Sequence, residues 1–247
     1  MSESAQVTYP PVDTPKPVDD DVFIVDGALP GLLGKVLPVR MTVIRLSDGG
    51  LLLHSPTCFS EPLCAALQAL GPVAHLVAPN LAHWTLLQDW QSAFPAAITW
   101  AAPGLRERRP VKRQGLRIDR VLGATAPAEW GQGIDLVMIP GALGFHETAL
   151  FHRPSRTLVL TDLVQNLERE KLPALARPLA RLLGNLAPDG MPPPYLRAVI
   201  RWRGAEAIAA VQALLALHPR RAIFAHGRWF ETDAEQQLRH SFRWLLA

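Results

Sequence analysis

Short apolar runs of strand length recur along the chain, and helical patterns separate several of them. In the first half, strands are predicted at residues 22–25, 41–46, 51–54, 75–77 and 98–100. Helices are predicted at 61–70, after the capping residue Ser60, and at 83–93, before Pro95. Later strands are predicted within 116–122, 135–139, 148–151, 157–160 and 221–225, and later helices at 205–217 and from 232 onward. This order is typical of mixed sheets flanked by helices.

The length and composition suit one well-packed globular unit. The 247 residues are 49% hydrophobic and 19% charged, which allows a large buried core. We therefore expect a single domain over residues 21–247. Residues 1–20 contain four prolines among polar residues, so we expect an extended or disordered tail there.

Several classes of protein are not expected. The net charge is only +3, and no arginine or lysine block interleaves with aromatic residues, so no nucleic-acid partner is expected. Cys58 and Cys64 lack the spacing of a zinc finger and are expected to be reduced, as in a cytoplasmic protein. The sequence shows no signal-peptide pattern and no apolar run of about 18 residues. Neither a GxSxG motif nor a phosphate-binding loop is present.

Three polar residues stand where apolar strands end, namely His83, Asp162 and His226. The carboxyl ends of strands are where α/β folds usually present reactive groups. Two imidazoles and one carboxylate form a ligand set for zinc or iron that leaves coordination positions for water or substrate. The sequence does not show whether these side chains converge. A histidine taken alone is more often a hydrogen-bonded structural residue, so that role stays open.

Five segments carry a resemblance to a known family. They are Leu-His-Ser-Pro at 53–56, Val-Ala-Pro-Asn-Leu-Ala-His at 77–83, Gly-Phe-His-Glu-Thr at 144–148, Ser-Arg-Thr-Leu-Val-Leu-Thr-Asp at 155–162 and Phe-Ala-His-Gly at 224–227. Their order and spacing resemble the metallo-β-lactamase superfamily, and more narrowly an uncharacterised branch of unknown function within it. The resemblance covers residues 22–230 and implies an α/β fold of the α+β type, an αββα sandwich.

The hallmark of that superfamily is HxHxDH, followed by a middle histidine, an aspartate that bridges two metals, and a last histidine. In this sequence the hallmark window is degenerate, because Ala78, Asn80 and Ala82 replace its first two histidines and its aspartate. The resemblance places the final hallmark histidine at His83, the bridging aspartate at Asp162 and the last histidine at His226. The middle histidine corresponds to His146 or to its neighbour Glu147.

The resemblance therefore implies a reduced site. One divalent metal, zinc or iron, is expected on His83, Asp162 and His226, with His146 as a further candidate ligand. The implied activity is hydrolysis of an ester, lactone or phosphoester in a small-molecule substrate, with Asn80 and Glu147 as candidates for orienting substrate or water. The alternative is a catalytically inactive protein of the same fold that serves as a small-molecule binding module. The sequence does not predict the oligomeric state.

Residues 166–202 are rich in leucine, proline and arginine. They form either a lid over the site or an amphipathic piece on the surface, and Arg177, Arg181 and Arg197 suit both interpretations. Packing against the core is the commoner role of such a segment, and membrane contact is the alternative.

Overall fold

The computed structural model describes residues 7–30, 36–172, 174 and 177–246. The strands are β1 (Lys16–Asp19), β2 (Val22–Pro30), β3 (Val36–Arg45), β4 (Leu51–His54), β5 (Val73–Ala78), β6 (Ile98–Ala101), β7 (Arg120–Val121), β8 (Ile134–Pro140), β9 (His146–His152), β10 (Thr157–Val159), β11 (Gln165–Asn166), β12 (Arg221–Ile223) and β13 (His226–Gly227). The α-helices of the described residues are α1 (Glu61–Gln68), α2 (Leu87–Ala93), α3 (Arg109–Gln114), α4 (Arg177–Leu183), α5 (Pro194–Arg201), α6 (Ala205–Ala216), α7 (Ala234–Ser241) and α8 (Arg243–Leu246).

The strands form two main sheets. The first sheet has the order β1-β2-β3-β4-β5-β6-β7, antiparallel from β1 to β4 and parallel from β4 to β7. The second has the order β12-β10-β9-β8, and within it β10 and β12 are parallel. A small sheet pairs β11 with β13 in parallel. Because β5, β10 and β12 each lie in a parallel pair, residues that follow them can gather at one edge.

Alternating side chains on the strands define the layers. Leu76 and Ala78 of β5 pack into the cluster that contains α1 and α2, whereas Val77 between them packs with Leu150 of β9 and Val159 of β10. Successive residues of a strand point to opposite faces, so Val77, Leu150 and Val159 lie between the two sheets.

The outer face of the second sheet is covered in the same way. Phe151 of β9 and Leu158 of β10 pack with Val211 and Leu214 of α6 and with Leu238 of α7. All five side chains are buried, and each such leucine stabilises the fold by about 1.5–3 kcal/mol. The order of layers is therefore helices, sheet, sheet, helices, which confirms the αββα sandwich that the resemblance implies.

The structure confirms most predicted elements and changes the bounds of some. The hairpin of β3 and β4, the helix after Ser60 and strands β5, β6, β8, β9, β10 and β12 all lie where the sequence predicts them. The predicted helix 83–93 begins only at Leu87, and of the predicted strand 116–122 only Arg120–Val121 is paired. Helix α7 begins at Ala234, and its N-cap Asp233 makes no side-chain capping bond, so the expected capping box is wrong.

The prediction of a loose tail over residues 1–20 needs correction within the described part. Lys16–Asp19 forms strand β1 on β2, and Val12 makes a β-bridge to Asp26. Lys16 also forms an ion pair with the buried Asp26, so this segment is tied to the sheet by charge as well as by backbone bonds. Residues 1–6 lie outside the described part, as do 173, 175 and 176 of the leucine-rich segment.

Among the residues that the structure describes, no helix has both the length and the apolar character required to cross a bilayer.

Candidate metal centre

His83, Asp162 and His226 come together at one edge of the two sheets. Asp162 follows β10 and His226 follows β12, and these strands are parallel neighbours, so their carboxyl ends meet. His83 follows β5 of the first sheet and reaches the same point. The backbone N–H of Thr148 in β9 donates to the carbonyl oxygen of Pro79 at 2.8 Å, which joins the two sheets beside the site.

The three side chains face one another closely enough to share an ion. His83 Nε2 lies 3.2 Å from Asp162 Oδ2, and His226 Nε2 lies 3.4 Å from Asp162 Oδ1. One donor atom from each residue lies within 4.8 Å of the others. Two ligands of a tetrahedral zinc ion with bonds of about 2.0–2.1 Å lie about 3.4 Å apart, so the arrangement fits such an ion.

The far nitrogen of each imidazole is fixed by a separate partner. His226 Nδ1 lies 2.9 Å from the carbonyl oxygen of Pro38, and a carbonyl only accepts, so this nitrogen carries the hydrogen. His83 Nδ1 lies 2.7 Å from the hydroxyl of Ser55. Both rings therefore turn Nε2 towards Asp162. Histidines that bind metals are usually oriented through their other nitrogen in this way.

Asn80 makes hydrogen bonds to both segments that carry the centre. Its Oδ1 accepts from the backbone N–H groups of Ala82 at 2.8 Å and His83 at 3.0 Å. Its Nδ2 donates to Asp162 Oδ2 at 2.8 Å and to Thr161 Oγ1 at 3.0 Å. These bonds explain why the helix expected from residue 83 starts later, because the backbone there is turned onto the asparagine side chain.

Glu147 is a second buried anchor. It is 0% exposed, and its carboxylate accepts from the backbone N–H groups of Thr161 at 2.7 Å and Asp162 at 2.9 Å. Burial and the nearby charge of Asp162 raise the pKa of Glu147, against the lowering effect of those backbone bonds.

Asn80 and Glu147 were expected to orient substrate or water. Both side chains are fully buried and hydrogen-bonded to the strand ends, and neither lines the cleft described below. They position Asp162 and His83.

His146 is not brought into the group. Its Nδ1 lies 3.2 Å from the carbonyl oxygen of Gly144, and the ligand group found among the described residues contains His83, Asp162 and His226 without it. Ala78 and Ala82 offer no ligand atom, and the amide of Asn80 is already hydrogen-bonded. The geometry therefore offers ligands for one ion.

The electrostatic environment of the centre favours positive charge beside Asp162. Burial alone would raise the pKa of Asp162, but His83 and the hydrogen bond from His226 outweigh it and hold the pKa well below its usual range. Burial alone would lower the pKa of His83, but the charge of Asp162 and its hydrogen bond raise it overall. The carboxylate therefore stays ionised and stabilises a protonated imidazole or a metal cation beside it.

A buried arginine binds the backbone of the turn that contains His226. Arg40 of β3 is 3% exposed, and its Nη1 donates to the carbonyl oxygens of Phe224 at 2.9 Å and Gly227 at 2.8 Å. Its Nη2 lies 2.7 Å from Asp26 Oδ1. The guanidinium group thus clamps the turn that carries His226 on both sides.

Gly227 next to His226 has no room for a side chain. Its φ is +92°, and an added Cβ would lie 2.2 Å from the carbonyl oxygen of Asn166. Only glycine allows β13 to approach β11 this closely while His226 faces the centre.

A cleft of about 310 Å³ opens over the three residues. His83, Asp162 and His226 lie in its polar part together with Ser55, Gln165 and Tyr195. Its apolar part is lined by Leu29, Leu37, Val39, Trp84, Leu86 and Leu167. The combination suits a small molecule with one polar group directed at the centre and an apolar remainder.

Sequence reasoning assigned no role to Ser55, Pro38 or Arg40. The pairing of Arg40 opposite Asp26 in β2 and β3 was a readable signal, because opposite charges across two apolar strands point to a buried ion pair. Pro38 acts through its backbone carbonyl, which any residue would offer, so its role could not be predicted from the residue type.

Cys58 and Cys64 are both free, and burial raises the pKa of each thiol, which suits unreactive cysteines.

Comparison with known proteins identifies the family and the fold. A family model described as "Domain of unknown function (DUF4336)" matches residues 19–214. A search of curated protein sequences found no match. Among solved structures, a metallo-beta-lactamase from Pontibacter korlensis is similar over 94% of this chain and 97% of its own, with 14% identity and a TM-score of 0.63.

Two further solved structures agree with that match. The metallo-beta-lactamase from Hirschia baltica covers 94% of this chain and 96% of its own, with 13% identity and a TM-score of 0.60. The metallo-beta-lactamase FIM-1 from Pseudomonas aeruginosa, in a mono-zinc form, covers 94% of both chains, with 13% identity and a TM-score of 0.61. Identities this low establish the fold alone. The chain belongs to the DUF4336 family, a domain of unknown function, and it has the metallo-β-lactamase fold.

Proposed function

We propose that the protein holds one divalent metal ion, zinc or iron, between His83, Asp162 and His226 and hydrolyses an ester, lactone or phosphoester of a small molecule. The observation that carries this proposal is the convergence of two Nε2 atoms and one carboxylate within 4.8 Å at the polar end of the cleft. The mono-zinc form of FIM-1 supports a single ion in this fold.

Residues around the centre would orient the three ligands. Ser55 and the carbonyl of Pro38 keep each imidazole turned with Nε2 towards the ion. Asn80 keeps one oxygen of Asp162 in place. When bound, a divalent ion would polarise a substrate oxygen and lower the pKa of water.

The cleft would select and orient the substrate. Its apolar residues exclude water from the bond to be broken and strengthen the polar contacts beside it. Tyr195 lines the cleft, and burial together with the charge of Asp162 raises the pKa of its hydroxyl, so the phenol stays protonated and can donate a hydrogen bond at neutral pH. Gln165 offers an amide on the same surface.

Metal analysis tests the proposal most simply. Protein loaded with zinc or iron and then dialysed is expected to retain one ion per chain, and His226→Ala is expected to lose at least about tenfold in affinity because a ligand is removed. His146→Ala is the matched control and should bind as the wild type does, since His146 lies outside the group. Fewer than about 0.2 ions per wild-type chain after loading, or equal loss in His146→Ala, would overturn the proposal.

Activity is the second readout. Hydrolysis of nitrophenyl esters, nitrophenyl phosphodiesters and simple lactones should depend on the loaded ion, stop on chelation and return on its addition. His226→Ala should lose that activity while the free energy of unfolding of the metal-free protein changes little.

A non-catalytic binding module is the second candidate. It is favoured by the replacement of hallmark ligands with Ala78, Asn80 and Ala82 and by the largely apolar cleft. In that case the histidines form a structural network, and His226→Ala should cost about 1–3 kcal/mol of stability through unpaired buried groups. Retained ligand binding after chelation, without hydrolysis, would identify this candidate.

A further inference from the structure

The helices α4 and α5 and the loop beside them carry an unusual share of the exposed apolar surface. Eight large hydrophobic side chains are exposed among the described residues, and five of them lie here. The five are Leu143 (95% exposed), Leu179 (58%), Leu182 (82%), Tyr195 (71%) and Trp202 (83%). We call this surface the α4–α5 face. Such a concentration marks an interaction surface more often than chance exposure does.

The parts of this face are joined to one another. Arg197 Nη2 in α5 donates to the carbonyl oxygen of Leu183 at the end of α4, at 2.9 Å. The backbone N–H of Ala142 donates to the carbonyl oxygen of Val199 at 2.8 Å, which places the loop of Leu143 against α5. The two helices and the loop that carry the exposed residues are therefore in direct contact.

The fold does not need these side chains for its own packing. Helix α5 is anchored by Leu196 and Ile200, which are 3% and 0% exposed and belong to the core with α6. Tyr195 and Trp202 lie on the opposite side of the same helical segment. The expectation that residues 166–202 pack against the core therefore holds for one side of α5 and leaves the other side without a partner among the described residues.

The same region is basic. Four of its arginines, and Arg243 of α8 near Arg197, form no ion pair with any described residue; the four are Arg177, Arg181, Arg197 and Arg201. Between Arg177 and Arg203 the sequence holds one acidic residue, Asp189, which lies 2.6 Å from His240. Burial and then the charges of Arg201 and Arg243 lower the pKa of Arg197, so like charges gather there uncompensated.

We propose that the α4–α5 face docks the protein onto an anionic lipid surface. Leucine and tryptophan beside arginine are the composition of surfaces that lie in the membrane interface, where apolar side chains enter the acyl boundary and cations meet headgroup phosphates. A second copy of the chain is a poorer occupant, because a two-fold contact through this face would set arginine against arginine. Tyr195 belongs both to this face and to the cleft, so the cleft opens beside the lipid.

Vesicle co-sedimentation tests this proposal without reference to the metal centre. The wild-type protein should sediment with phosphatidylcholine vesicles that contain phosphatidylglycerol, much less with phosphatidylcholine alone, and less as salt is raised. Arg181→Glu with Arg201→Glu should weaken binding at least about tenfold, and Leu182→Ser with Trp202→Ser should do the same through loss of insertion.

Matched controls distinguish binding through the α4–α5 face from general effects of net charge and exposed apolar surface. Arg113→Glu with Arg120→Glu makes the same change of net charge on exposed arginines outside the face, and Val121→Ser removes an exposed apolar side chain there. Both controls should bind vesicles as the wild type does, and circular dichroism should show all variants folded.

Absence of wild-type binding to the anionic vesicles would overturn the proposal, as would equal loss in the controls. A dimer in gel filtration that Trp202→Ser dissociates, with no vesicle binding, would assign the face to self-association instead.

Discussion

The two histidines of the candidate centre are held by partners of different kinds. Ser55, which contacts His83, has a φ of +56°, an uncommon conformation for a residue other than glycine. Its backbone N–H donates to the carbonyl oxygen of Val77 at 3.0 Å, so the strained residue is fixed between β4 and β5. Strain of this kind persists where the surroundings over-determine it, often at functional sites.

Asn80 is the residue on which the geometry of the centre depends most. Asn80→Ala would leave the backbone N–H groups of Ala82 and His83 without their acceptor and would remove the amide donor to Asp162 Oδ2. We expect a loss of about 2–4 kcal/mol in the free energy of unfolding, measured by urea denaturation. Gln165→Ala, in the wall of the cleft, is the control and should change stability by less than about 0.5 kcal/mol. A similar small change in Asn80→Ala would contradict the positioning role.

His54 makes stability depend on pH. Burial, opposed by a backbone hydrogen bond at Thr148 and assisted by the charge of His83, lowers the pKa of His54 from 6.5 to about 3. In the unfolded chain His54 takes up a proton near pH 6.5, whereas in the folded protein it does so only near pH 3. The free energy of unfolding is therefore highest above pH 6.5 and declines as the pH falls below it. Between pH 7 and pH 5 His54 alone should account for a loss of about 2 kcal/mol.

Denaturation at several pH values checks this expectation. His54→Gln should flatten the pH dependence by that amount. Burial also lowers the pKa of His75 and His152, so part of the dependence should remain in His54→Gln. Identical pH dependence in the wild type and His54→Gln would refute the assignment.

At the scale of elements, the contact between β3 and the turn after β12 fixes His226. Arg40→Met would remove two hydrogen bonds to that turn and leave the buried Asp26 with only Lys16. We expect a loss of about 3–5 kcal/mol, because a buried charge loses its main partner.

Arg45 provides a matched control on the same strand. Its ion pair with Asp21 joins β3 to the turn just before β2, but both side chains are at least about a third exposed. Arg45→Met should therefore cost no more than about 1 kcal/mol by the same denaturation assay. A loss of stability as small for Arg40→Met as for Arg45→Met would show that the buried contacts of Arg40 do not stabilise the fold more than an exposed ion pair does.

The elements show what the sequence could and could not predict. Apolar runs and the capping residue Ser60 were enough to place β4, α1 and β5. The start of α2 was not predictable from periodicity, because the hydrogen bonds of Asn80 take the backbone of residues 82 and 83 out of the helix. The convergence of His83, Asp162 and His226 depends on the pairing of β10 with β12 across more than sixty residues, which no local pattern contains.

At the scale of the whole molecule, the packing of the two sheets supports the candidate centre. The two sheets are locked by side chains that alternate between the inter-sheet core and the helices, and the centre lies at the edge where both sheets end. Ala78 and Ala82 offer no side-chain ligand beside the centre, and Asn80 hydrogen-bonds to Asp162 and so supports the three residues.

Crystals grown with zinc, and separately with iron, allow the ion to be located by its anomalous scattering. We predict one peak per chain, about 2.0–2.2 Å from His83 Nε2, His226 Nε2 and a carboxylate oxygen of Asp162. No peak at these three residues, or a peak on Asn80 and Glu147 instead, would contradict the account.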